Sequence, residues 1–180
     1  VVSLSLGEMP TAEFGADAIS DKVHKGIAHF IYDDAKKHAA MADYLQYHAS
    51  QVARLVSTLE AIPDTSGGSI MDNTLIAWGS ELGDGWHGYR HYCPVLIGGS
   101  WAFNTGRYTY WPHETPAEMR VPPQLLVGGS TRFSGLPHQQ LLVSVARAMG
   151  LDVNHVGLEY VRGQRGDFID VRGPLEGLAA

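Results

Sequence analysis

Among 180 residues there is a single cysteine, Cys93. That count excludes an internal disulfide framework and any zinc cage built from thiolates. No apolar run approaches the roughly 20 residues a membrane-spanning helix needs, so no membrane partner is expected. Charge is scarce as well: 18% of residues are acidic or basic, the 13 Lys and Arg are scattered, and the net charge is −6. Nothing forms a basic stripe that could track a phosphate backbone, so nucleic acid is not an expected partner. The sequence opens Val1-Val2-Ser3-Leu4 without a methionine or a signal-like segment, and it reads as beginning inside a strand of a longer protein.

Glycine and histidine are plentiful, at 21 and nine residues, and hydrophobic residues make up 44%. A packed core is therefore within reach and disorder is not expected. The glycines call for turns with positive φ. The histidines make metal or acid–base chemistry worth tracing, beside the plainer reading that they are surface residues.

Val1–Leu6 reads as a short strand, and Gly7–Ser20 as a loop. From about Asp33 to Ile62 the spacing predicts an amphipathic helix. Met41, Tyr44, Leu45, His48, Val52, Leu55, Val56, Leu59 and Ile62 form its stripe, and Pro63 and Gly67-Gly68 end it. Thr74–Trp78 and Pro94–Ile97 read as buried strands, the second closed by Gly98-Gly99. A final helix starts at Leu136, carries Leu141, Leu142, Val145 and Met149, and stops at Gly150. Strands alternating with helices predict an α/β fold with a mostly parallel sheet flanked by helices. Residues 1–156 are expected to form the folded portion, and the Gly/Arg-rich tail 157–180 to wrap its surface. Pro94–Ser100 with Phe103 is echoed by Gln124–Ser130 with Phe133, two similar strand–turn units separated by an aromatic loop. Two copies are too few for a solenoid.

Two blocks carry candidate chemistry. The first is Asp21-Lys-Val-His24-Lys-Gly-Ile-Ala-His29, whose oxygen and nitrogen donors suit a divalent metal. Equally open is that Asp21 caps a turn and the histidines are solvated. The second is Trp78-Gly-Ser-Glu81-Leu-Gly-Asp84-Gly-Trp-His87-Gly-Tyr-Arg-His91, directly after an apolar strand. Ligands in open α/β sheets gather at such strand ends, and glycines there let the backbone approach closely. The plainer alternative is a Gly-rich turn whose carboxylates satisfy backbone donors.

The stretch from Val1 to about Gly157 resembles the C-terminal half of the bacterial HXXSHH-domain proteins. More remotely it is similar to alkaline phosphatases and sulfatases. The resemblance is carried by the His24–His29 block, the helix around Tyr47-His48, Met71-Asp-Asn-Thr-Leu75 and Gly79-Ser-Glu-Leu-Gly-Asp-Gly85. It continues through Pro94-Val-Leu96 and Leu141-Leu142 to Met149-Gly-Leu151. It implies an alkaline-phosphatase-like α/β domain, present here in part, and export to the periplasm or beyond by a signal outside this stretch. It also implies hydrolysis of a phosphate or sulfate ester, carried by a small molecule or a glycan, at divalent metal ions (zinc, calcium or magnesium). By position Asp21, His24, Glu81 and His91 resemble the metal ligands, with His29, Asp84 and His87 nearby. The family's Ser-His-His ending reads Ile27-Ala28-His29 here, and the nucleophile is expected upstream of Val1.

Trp101, Tyr110, Trp111 and His113 are expected to line a substrate loop, with His113 equally able to cap a turn; the competing reading is a non-catalytic exported module, binding or structural, whose aromatic loop contacts glycans. The same aromatics could equally pack the loop onto its domain. A third reading is an interaction subunit whose fold is completed by an upstream segment or a second chain. Of the remaining residues, His48 is expected as a hydrogen-bonded core histidine, His38 as solvated, His138 as structural and His155 as surface. Cys93 is expected as a buried, inert thiol.

Overall fold

A computed structural model describes residues 1–7, 23–31, 34–80, 82–83, 92–111, 136–162 and 168–179. The short helix α1 (Val23–Gly26) leads into a 3-10 turn (Ala28–Phe30) and the long helix α2 (Ala35–Ala61). Asp34 caps α2 by accepting from the Lys36 amide at 2.8 Å. Ile62 takes the extended conformation that a following proline imposes, which ends the helix. Lys37, Ala40, His48 and Val52 are buried along one face, with Met41 and Tyr44 partly buried beside them. Leu45 and Ile62 lie outside the buried face, at 54% and 45% exposure.

The turn after α2 is organised by carboxylates. Asp64 accepts from the Ser66 amide and hydroxyl and from the Asn73 side chain at 2.8–3.1 Å. These donors, the Ser66 amide foremost, hold its carboxyl at about 2. Asp72 accepts from the Ser69 amide at 2.7 Å and opens a second 3-10 turn, Ile70–Asn73.

Strands β1 (Leu75–Trp78) and β2 (Val95–Gly98) follow, and they pair antiparallel, with Leu75 opposite Gly98 and Trp78 opposite Val95. This overturns the expected mostly parallel sheet. The described residues hold two two-stranded antiparallel sheets and no parallel pair. Parallel strands are buried on both faces beneath crossover helices. Here Ala77 and Val95 are exposed, and no helix is described between the two strands. The chain instead turns back on itself. Nor does Val1–Leu6 form a strand; Val1, Val2 and Leu4 are exposed.

Gly98 is required where β2 ends. Its φ is +78°, and a Cβ there would strike the Thr74 carbonyl and come within 2.7 Å of the Met71 methyl.

Helix α3 (His138–Ala148) has Pro137 as its N-cap. Its buried residues are Leu141, Val143 and Ser144, whereas Leu142 and Met149 are exposed. The C-terminal segment accounts for that face. Leu175 donates its amide to the Ser144 hydroxyl at 2.8 Å and to the Gln140 carbonyl at 3.0 Å. Gln140 in turn donates to the Arg172 carbonyl at 3.1 Å. Before that contact, β3 (Tyr160–Arg162) and β4 (Phe168–Asp170) form an antiparallel hairpin. Arg172 grips Asp170 through two nitrogens and lies over the Tyr160 ring at 4.8 Å.

Candidate functional site

Of the two candidate blocks, the first is partly described, and its histidines meet. Val23 and Ile27 point inward, against Ala40 of α2, and Ile27 is 0% exposed. The Ile27 amide donates to the Val23 carbonyl at 2.9 Å, closing one helical turn. With Val23 and Ile27 committed to the core, His24 projects outward, and the 3-10 turn brings His29 back onto it. The two Nε2 atoms are 2.9 Å apart, and the rings stack with centroids 4.7 Å apart at 24°.

At that distance one imidazole donates its Nε2–H to the lone pair of the other. A single zinc ion could take both nitrogens at about 2.0–2.1 Å only once the rings turn out of their stack, because the in-plane lone pairs of stacked imidazoles run side by side. Asp21, expected beside them, lies outside the described residues, as do Glu81, Asp84, His87, His91 and His113. Among the described residues no group of three or more His, Cys, Asp or Glu is arranged to hold a metal.

The exit of β1 shows a feature that the residue pattern did not reveal. A side chain at Gly79 would place its Cβ 2.9 Å from the Tyr92 hydroxyl and 3.6 Å from Pro94 Cα. The Tyr92 ring in turn meets His138, the first residue of α3, edge-on at 5.0 Å. Tyr92 thus lies between Gly79, at the exit of β1, and His138 at the start of α3. Burial there pushes His138 down and Tyr92 up from their ordinary pKa values. Only the glycine after an apolar strand hinted at such a close approach. Cys93, next to Tyr92, is exposed rather than buried, because side chains alternate faces on entering β2.

His48 is buried as expected, at 7% exposure, but its Nε2 has no hydrogen-bond partner. It packs edge-on against Tyr44 at 4.4 Å and Tyr47 at 5.6 Å, and desolvation lowers its pKa. His155 is half-exposed and 3.8 Å from Glu159.

Both tryptophans among the described residues of the aromatic loop are tied to backbone carbonyls. Trp101 donates its indole N–H to the Ala148 carbonyl at 3.0 Å, and Trp111 donates to the Glu176 carbonyl at 3.1 Å. Trp101 and Tyr110 remain 46% and 58% exposed. No helix among the described residues is long and apolar enough to cross a membrane. None of the family models, curated proteins or solved structures compared with this chain matches it.

Proposed function

We propose that the chain is a metal-dependent hydrolase domain of the HXXSHH-domain class it resembles, exported and acting on a phosphate or sulfate ester. The observation that carries this reading is the meeting of His24 and His29, with Nε2 atoms 2.9 Å apart. Two imidazoles favour zinc over calcium or magnesium, which prefer oxygen. Asp21, His24, Glu81 and His91 would be shared as ligands between divalent ions, each keeping an open position, with His29, Asp84 and His87 beside them. When bound, the ions would polarise the ester and stabilise charge on the departing oxygen. Val23 and Ile27 orient the pair by fixing the turn that presents it. The nucleophile, in this reading, lies upstream of Val1.

Zinc titrated calorimetrically into metal-free protein tests the proposal. Saturable binding is expected in the wild type. His24→Ala and His29→Ala should each weaken it by about tenfold or more, the scale lost even with an outer-shell partner. A wild type that takes up no zinc, or two variants that bind it unchanged, would sink the idea.

The exposed faces of Trp101 and Tyr110 favour a second reading, a glycan-contacting module. Glycan binding that survives in metal-free protein and disappears in Trp101→Ala would support that module over the hydrolase.

A further inference from the structure

Four successive main-chain carbonyls near the end of the chain are each bonded by a side chain of the aromatic loop. Trp111 Nε1 donates to the Glu176 carbonyl at 3.1 Å, and Arg107 Nη2 to those of Gly177 at 2.6 Å and Leu178 at 3.3 Å. Asn104 Nδ2 donates to the Ala179 carbonyl at 2.8 Å, and Phe103 forms an isolated antiparallel bridge with Ala179. Arg107 is itself braced, its Nε donating to the Asn104 carbonyl at 3.0 Å. One short loop therefore presents a row of fixed donors to a peptide backbone. Reading of main-chain carbonyls in this way is how proteins seat peptide segments with little regard to side chains.

The seated segment divides at one residue. Leu175 is buried at 8%, and its amide is held by Ser144 and Gln140 of α3. Beyond it Glu176, Gly177 and Ala179 are exposed, and the bonds from the loop lie at the surface. Segments with few buried apolar contacts and solvent-exposed hydrogen bonds open first.

We propose that the 103–111 loop is a peptide-binding groove whose occupant is this chain's own residues 176–179. They form a detachable strap, hinged at Leu175, that closes over Trp111 and Arg107. The strap rests on different residues from the histidine pair, so it stands or falls separately from metal binding.

Fluorine NMR of protein labelled with 5-fluorotryptophan tests this, its four indole signals assigned by Trp→Phe variants. Deleting 176–180 while keeping Leu175 should shift the Trp111 signal and leave Trp101, tied to Ala148, in place. Arg107→Ala in the full chain should shift Trp111 in the same direction. A capped peptide of residues 176–180, added to the deleted protein, should restore the Trp111 signal saturably with a dissociation constant of about 1 mM. Arg107→Ala in the deleted protein should weaken that peptide by about tenfold, as expected for losing hydrogen bonds from a charged donor. Trp111 unmoved in both variants, or no saturable restoration by the peptide, would overturn the groove. Trp101 shifting along with Trp111 on deletion would overturn the detachable strap, because the segment would then be integral to the fold.

Discussion

His48 occupies a position where a polar atom is desolvated and left unbonded. Its ring is enclosed on α2 by Tyr44 and Tyr47, and Nε2 finds no partner. The folded state therefore favours the neutral imidazole, and the pKa falls below 6.5. The unfolded chain binds the proton more readily, so His48 should cost the fold stability as pH drops through about 6.5. His48→Leu fills similar space without the orphaned nitrogen. It is expected to be neutral or stabilising by about 1 kcal/mol near neutrality, with a larger advantage at pH 5. Urea unfolding of both proteins at several pH values checks this; an advantage that shrinks on acidification would refute it. Ile27 offers the opposite case. It is fully buried between His24 and His29 in sequence, and Ile27→Ala should cost about 2–5 kcal/mol in the same assay. That variant should also disturb the histidine pair, since Ile27 anchors the turn between them.

At the level of elements, the end of β2 is the most constrained point. Gly98→Ala would need φ near +78° with its Cβ against the Thr74 carbonyl. A loss of about 1–3 kcal/mol is expected, read as a lowered thermal midpoint; an unchanged midpoint would show that the turn relaxes freely. Helix α2 was legible in the sequence because a period of 3.6 is a local property, printed on the stripe from Met41 to Leu59. The strands were legible as apolar runs closed by glycines, but their pairing was not. Leu75–Trp78 carries the same residues whether its neighbour runs parallel or antiparallel, and the direction depends on how the intervening chain returns. The face of α3 was misread for a related reason. Ser144 is polar, and it is buried because its hydroxyl accepts from a residue 31 positions away.

Across the whole molecule, long-range contacts converge on the C-terminal segment. Residues 171–179 contact α3 through Gln140 and Ser144, and the aromatic loop through Asn104, Arg107 and Trp111. The loop's two tryptophans spend their N–H groups on backbone carbonyls, which positions their rings whatever those rings contact. For the candidate site, composition and spacing pointed to His24 and His29, and folding brings them to 2.9 Å. Nothing in a five-residue separation states that two rings will stack. That follows from Val23 and Ile27 being drawn into the core and turning the chain between them.

By itself the sequence determined the local features: the long helix and its stop at Pro63, the glycine-bound strand ends, the lack of a disulfide framework, and two histidine-bearing blocks. These depend on neighbours within one or two turns of chain, and residue type and spacing suffice to specify them. Tertiary structure alone decided that β1 and β2 run antiparallel, that His138 meets Tyr92, and that the tail is held by Asn104, Arg107 and Trp111. Each of those joins residues distant in the chain through backbone carbonyls, ring edges or strand directions. Such partners are chosen by the packing of the whole, and a carbonyl group is the same in every residue.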